Sequence, residues 1–177
     1  DWAGTHGDFG HADELIAFLK KRRPDICMAA ACYPETHIAA MSPEDDIRHL
    51  RAKQDNGAEF LMTQLCHDAD AYARFIERIR KAGVTLPVVA GVMPVLSRDA
   101  ILRMTFSNGC SIPSGLAAII GKYGENPDDF KQAGKEFTAA LIRRLGVLGA
   151  DGLHFYSLNK YRDVLDIIEA SGLRHAE

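Results

Sequence analysis

Four short apolar runs, separated by segments with helical periodicity, constrain the fold of this chain more than any other feature. They predict strands over residues 26–32, 59–65, 86–95 and 152–158. Short continuous apolar runs are typical of parallel strands covered on both faces. Strands that alternate with helices predict an α/β fold with a parallel sheet, either open and doubly wound or closed as a barrel.

Start and stop signals predict the helices between these strands. Ser42 begins a capping box with proline at the first helical position, and Gly57 suits the end of that helix. Tyr72, Phe75 and Ile79 form an apolar stripe on the next helix. Further helices are predicted over residues 11–22, from residue 126 onward and over residues 161–172, with a helical insertion at residues 112–123.

The residues that follow each strand favour the barrel over the open sheet. No G-x-G-x-x-G sequence follows a predicted strand, which weakens the hypothesis of a dinucleotide-binding open sheet, and no Walker motif is present. Each strand instead runs into polar residues, and active sites of (β/α)8 barrels lie at the carboxyl ends of their strands.

Composition excludes several classes of protein. The net charge is −3, with 21 basic and 24 acidic residues, so no basic footprint for nucleic acid is expected. No run approaches the roughly 20 apolar residues of a membrane-spanning helix. The four cysteines form no CxxC pair, which favours free thiols in a reducing compartment and predicts a cytoplasmic protein without a metal site. Cys27 and Cys32 are predicted to be small buried hydrophobes.

Two groups of residues near the first strand are candidates for cofactor binding. Tyr33 and His37 could hold a planar cofactor by stacking and hydrogen bonding, whereas the alternative is a strand exit with polar surface groups. Asp46 and Lys53 lie seven residues apart on the next predicted helix and share a face, where they could bind a ribose hydroxyl and a phosphate. The alternative is a solvated helix face.

Gln64 and Lys160 are candidates for substrate binding at the ends of later strands. The amide of Gln64 offers a donor and an acceptor, which suit the edge of a heterocycle such as a pterin, unless the adjacent loop satisfies them. Lys160 could attract an anionic substrate tail or be an ordinary surface lysine. Cys66 and His67 suggest a metal site, but consecutive extended residues point apart, and Asp68 is predicted as a helix N-cap.

Five stretches of the sequence, taken together and in their order along the chain, resemble the methylenetetrahydrofolate reductase family. Members of this family are flavoprotein (β/α)8 barrels of one-carbon metabolism. The similarity extends from about residue 9 to residue 172. Its motifs are Tyr33-Pro34-Glu35-Thr36-His37, Thr63-Gln64 with Asp68 and Tyr72, Gly91-Val92-Met93-Pro94-Val95, Ile112-Pro113, and His154-Phe155-Tyr156-Ser157-Leu158-Asn159.

The resemblance implies FAD as the cofactor, NADH or NADPH as the reductant, and reduction of 5,10-methylenetetrahydrofolate to 5-methyltetrahydrofolate. Gln64 is expected to contact the folate pterin and the nicotinamide, and Lys160 to lie near the substrate. The cofactor contacts that the resemblance implies are His11, Ala12, Tyr33, His37, Ala40, Asp46 and Lys53.

The chain also departs from the family pattern. His11 stands where tyrosine is common, Leu65-Cys66-His67 replaces an aromatic-rich stretch, and Arg98 stands where some members have a phenylalanine that stacks on the substrate. The family's general acid, a glutamate, and its flavin-side aspartate are expected in an N-terminal half outside this chain, which begins at Asp1.

These features predict that residues 1–177 form one domain, strands 5–8 of the barrel with their helices, which alone is inactive. Its two edge strands are expected to pair with other chain segments, and the protein is expected to be a homo-oligomer. Two alternatives remain open. One is a non-flavin barrel lyase or pterin-dependent methyltransferase, and the other is a non-catalytic half-barrel that serves in assembly.

Overall fold

The computed structural model describes residues 8–173. The strands are β1 (Ala29–Cys32), β2 (Phe60–Leu65), β3 (Val88–Val92) and β4 (Gly152–Phe155). The helices are α1 (Ala12–Arg22), α2 (Pro43–Asp55), α3 (Ala69–Lys81), α4 (Arg98–Ser107), α5 (Ser114–Tyr123), α6 (Pro127–Val147) and α7 (Tyr161–Ser171). None of these helices combines the length and the apolarity needed to cross a membrane.

All four strands are parallel, and their order in the sheet is β1-β2-β3-β4. Each connection therefore advances by one strand in the same direction, whereas a doubly wound sheet reverses direction at its switch point. Sequential parallel strands joined through helices are the arrangement of a (β/α)8 barrel wall. The predicted parallel α/β fold, with the topology of strands in such a barrel, is confirmed.

The hydrophobic core lies between the sheet and its helices. Leu61, Val88 and Ala90 point from the strands into this core, where they join fully buried side chains such as Phe75 of α3 and Ile142 of α6. On β1 and β2, residues that alternate with the core residues lie on the opposite face of the sheet. The described residues 8–173 leave them partly or fully exposed. The described elements thus cover one face of the sheet, not both.

The predicted helix caps are confirmed. The side chain of Ser42 accepts a hydrogen bond from the backbone N–H of Asp45 at 3.1 Å, and Asp68 caps α3 in the same way. Asn126 caps α6 by accepting from two backbone N–H groups. Gly57, which follows α2, has φ of +105°, a value that L side chains rarely adopt, so glycine suits this turn.

Several local predictions were wrong. The first strand begins at Ala29 because the chain still turns at Ile26, whose N–H donates to Arg23 O at 3.2 Å. Cys27 follows this turn before the strand begins and is exposed, whereas Cys32 is fully buried as predicted. Helix α4 was not predicted, and β3 and β4 end earlier than their apolar runs.

Small residues on α6 allow this helix to pack closely against the backbone that follows β3. A Cβ atom on Gly134 of α6 would lie 1.9 Å from the carbonyl oxygen of Val95, whereas a Cβ atom on Gly146 of the same helix would meet no heavy atom within 4 Å. Thr138, one turn after Gly134, uses its hydroxyl to accept from the Val95 N–H at 3.1 Å. Helix α6 therefore touches the backbone that follows β3.

We expect Gly134→Ala to lower the free energy of unfolding by about 1–3 kcal/mol, because the added methyl group must displace the Val95 backbone. Gly146→Ala on the same helix is the matched control, and it should be neutral or stabilising by up to about 1 kcal/mol. Urea unfolding measures both. Equal effects of the two substitutions would contradict the packing described at Val95.

His67, directly after β2, is buried in an unusual state. It is 2% exposed, and neither ring nitrogen has a hydrogen-bond partner among the described residues. Burial disfavours the imidazolium and lowers the pKa of His67 to about 4. The folded protein therefore holds this histidine neutral at a pH where an exposed histidine is protonated.

Because the unfolded chain binds this proton with an ordinary pKa near 6.5, the stability contributed by neutral His67 is lost as the pH falls from about 6.5 to about 4. The loss should reach about 3 kcal/mol. We expect His67→Phe to remove most of this pH dependence, whereas substitution of the exposed His11 should not. Denaturant unfolding at several pH values is the measurement, and an unchanged slope in His67→Phe would refute the assignment.

Candidate functional site

A pocket of about 460 Å³ lies at the carboxyl end of β1, between the start of α1 and one face of α2. All seven residues expected to contact the cofactor line it. The lining consists of Gly10, His11, Ala12, Asp13, Tyr33, His37, Ala39, Ala40, Asp45, Asp46, His49 and Lys53. The structure thus brings together the two groups selected from the residues and the segment of His11 and Ala12 that the resemblance added.

The loop after β1 supplies the aromatic part of the pocket. Its turn includes Thr36 at φ +79°, and the Thr36 N–H donates to Tyr33 O at 3.2 Å. This turn brings the rings of Tyr33 and His37 edge to face, with centroids 4.5 Å apart. The Nδ1 atom of His37 accepts from the Ala39 N–H at 3.1 Å, so the neutral imidazole carries its proton on Nε2.

Asp46 and Lys53 are buried on the pocket side of α2, with 7% and 9% of their surface exposed. A carboxylate oxygen of Asp46 accepts the backbone N–H of His37 at 3.1 Å, and the Lys53 ammonium donates to the Ala31 carbonyl at 2.9 Å. Helix α2 is therefore joined both to β1 and to the loop that follows it. The alternative of a solvated helix face does not describe these two side chains.

Burial and the neighbouring negative charge have opposite effects on the pKa of Lys53. Removal from water lowers the pKa of the Lys53 ammonium, and the neighbouring Asp46 carboxylate opposes that shift. A cation in such surroundings interacts more strongly with an anion than an exposed lysine does. The two groups can therefore recognise a ligand that carries both an anionic group and a hydroxyl.

Sequence reasoning missed His49, which lies on α2 between Asp46 and Lys53. The three positions have the spacing i, i+3, i+7, which places them on one helix face and could have revealed the third member. The His49 ring lies 5.2 Å from the ring of His11, centroid to centroid, and its Nε2 is 3.9 Å from a carboxylate oxygen of Asp45. These two imidazoles line the same pocket as Tyr33.

Gln64 and Lys160 lie outside this pocket. Gln64 is half-buried near the end of β2, where its amide bonds both the Leu65 N–H and Asn108, so the adjacent loop does satisfy part of its capacity. Lys160 is exposed at the start of α7, after a turn in which Leu158 and Asn159 have φ of +45° and +63°. Gln64, near the end of β2, and Lys160, beyond β4, both lie toward the carboxyl ends of their strands, at the same edge of the sheet.

Arg98 and Cys66 have structural partners. Arg98 forms an ion pair with Glu125 and lies against Gly124 at the end of α5. The Cys66 thiol contacts the Asp68 carbonyl at 3.3 Å. Between residues 8 and 173, no group of three His, Cys, Asp or Glu side chains is placed to hold a metal ion.

Comparison with known proteins identifies relatives over nearly the whole chain. The family model for methylenetetrahydrofolate reductase matches residues 1–172. Methylenetetrahydrofolate reductase 1 of Schizosaccharomyces pombe is 31% identical over 178 residues, which cover 98% of this chain and 29% of that protein. The 5,10-methylenetetrahydrofolate reductase of Escherichia coli is 27% identical and covers 93% of this chain and 55% of its own length.

A solved structure shares the fold. It is an uncharacterised Clostridium thermocellum protein described as binding two copies of 5-methyl-5,6,7,8-tetrahydrofolic acid, with a TM-score of 0.68 and 14% identity over 97% of this chain and 62% of that one. The chain spans about half the length of the bacterial relative and less of the fungal one. The match to the family model confirms the resemblance seen in the motifs, and the chain belongs to the methylenetetrahydrofolate reductase family.

Proposed function

We propose that the protein containing this chain is an FAD-dependent reductase that converts 5,10-methylenetetrahydrofolate to 5-methyltetrahydrofolate, with NADH or NADPH as the reductant. The observation that supports it most is the pocket beside β1, where all seven expected cofactor contacts meet around the buried pair Asp46 and Lys53. Family membership over residues 1–172 supports the reaction.

The chemistry of the pocket fits FAD. Lys53 would bind phosphate oxygens, and Asp46 would accept a hydrogen bond from a ribose hydroxyl. Tyr33 and the Nε2–H of His37 would contact a planar ring, while the small side chain of Ala40 lets the ligand approach the backbone. When bound, FAD would supply the redox chemistry by accepting a hydride from the reduced nicotinamide and delivering it to the folate.

The residues of this chain would bind and orient the folate. Gln64 would pair its amide with the pterin edge, a role in orientation and not in proton transfer. Lys160, exposed at the beginning of α7, would attract the anionic tail of the substrate. We assign no general acid among residues 1–177, and we propose that this glutamate and the flavin-side aspartate belong to other strands of the barrel.

We further propose that residues 1–177 are one domain whose sheet continues into a closed barrel. Within residues 8–173 the edge strands β1 and β4 each pair with one neighbouring strand, and the half-exposed sheet face includes Met62 and Val89. Such a face suits the interior of a barrel. A homo-oligomer in the cytoplasm is proposed with it, and the four free cysteines support a reducing compartment.

Substitution of Lys53 tests the cofactor site. We expect Lys53→Met to weaken FAD binding about tenfold or more, because it removes a charged hydrogen-bond donor while methionine fills a similar volume. Lys81→Met on α3 is the control, since Lys81 is exposed and pairs with Glu77. Titration of the apoprotein by quenching of flavin fluorescence gives both dissociation constants, and equal values would exclude Lys53 as a contact.

The reaction itself is tested on the intact protein under anaerobic conditions. Purified protein should be yellow, its flavin absorbance near 450 nm should bleach when NADH or NADPH is added, and 5,10-methylenetetrahydrofolate should restore it. Bleaching that the folate does not reverse would point to another acceptor. A colourless protein without FAD by mass spectrometry would favour a non-flavin lyase or methyltransferase.

A further inference from the structure

Gln64 lies at an irregularity of the sheet. Met62 is opposite Val89 and Leu65 is opposite Gly91, so three steps along β2 correspond to two along β3. The fully buried hydroxyl of Thr63 bridges the interruption, because it accepts the Gly91 N–H at 2.8 Å and donates to the Gln64 carbonyl at 2.8 Å. Such bulges redirect a side chain and are common beside active sites.

The neighbouring strand end holds this bulge in place. The hydroxyl of Tyr156 donates to the Thr63 carbonyl at 3.1 Å and crosses Gly91 to reach it. A Cβ atom at Gly91 would lie 2.8 Å from the Tyr156 ring and 2.4 Å from the Thr63 carbonyl oxygen. The backbone that carries Gln64 is thus fixed by two hydroxyl groups.

The side-chain amide of Gln64 is part of a chain of hydrogen bonds in which each group donates to the next one. The Leu65 N–H donates to Gln64 Oε1 at 2.9 Å, Gln64 Nε2 donates to Asn108 Oδ1 at 2.8 Å, and Asn108 Nδ2 donates to the Met104 carbonyl at 2.7 Å. The first member can only donate and the last can only accept. Reversal of either amide would break two of these bonds.

We propose that Asn108 is a positioning residue that fixes the orientation of the Gln64 amide toward the folate. One Nε2–H and one lone pair of Oε1 of Gln64 lie outside the chain of hydrogen bonds. The bonds to Asn108 and Leu65 determine on which side of the amide each of them lies. Such an ordered donor and acceptor match the amide-like edge of a pterin ring. This inference rests on the proposed function.

The position of Asn108 is itself well determined. It follows α4 directly, and both its backbone N–H and its side-chain Nδ2 donate to the Met104 carbonyl. Gly109 then turns the chain with φ of +64°, and a Cβ atom there would collide with Ile38 of the loop after β1. Helix α4 therefore delivers Asn108 to the same edge of the sheet as the cofactor pocket.

The test compares variants of the intact protein with 5-methyltetrahydrofolate as the probe, titrated by calorimetry. Asn108→Ala is expected to weaken binding about two- to tenfold, because the Gln64 amide loses one of its two anchors. Asn108→Asp keeps an acceptor for Gln64 Nε2 but loses the donor to the Met104 carbonyl, so it should recover only part of the affinity. Ser107→Ala, an exposed change at the end of the same helix, should have no effect.

A double-mutant cycle separates positioning from general damage to the fold. In a Gln64→Ala background, Asn108→Ala should cause no further loss of affinity, since the group that it positions is gone. Additive losses, or an Asn108→Ala protein that binds like wild type, would overturn the inference and leave the proposed function intact. A wild-type protein that binds no folate would overturn both.

Discussion

In an all-parallel sheet every connection must return the chain to the same end, so all carboxyl ends share one edge. Here the helices also cover the same face, because the strand order is sequential. The edge therefore collects the carboxyl ends of β1, β2 and β4 with the segments that follow them, and with these Tyr33, Gln64 and Lys160. Residues distant in sequence become neighbours through topology, and the packed core behind them depends on few polar groups.

The buried pair on α2 shows how this edge is specialised. The ion pairs on the surface of the molecule, such as Lys81 with Glu77, are exposed to solvent and contribute little to stability. Lys53 instead bonds a backbone group of β1 and Asp46 one of the loop after it, which offsets part of the cost of burial. The residual cost is consistent with a ligand that completes their interactions.

Much of the fold was predictable because apolar runs and capping residues are local signals. The caps at Ser42, Asp68 and Asn126 lie where the residue types placed them. Helix α4 was missed because its apolar pattern covers only a few residues and follows a long apolar run beyond β3. That run masks the change from strand to helix periodicity. Cys27 was misplaced because an apolar run does not reveal where a preceding turn ends.

The candidate site likewise has features that local sequence predicts and features that depend on long-range packing. Asp46 and Lys53 share a face by helical geometry, which sequence spacing contains, but their burial depends on how α1 and the loop after β1 pack around them. Asn108 and Gly109 are typical turn residues, and local sequence does not reveal the bond to Gln64, because it joins residues 44 apart. A donor-only group at one end and an acceptor-only group at the other then leave a single arrangement of amides. The orientation of Gln64 is therefore a property of the assembled edge, which no one segment of the sequence contains.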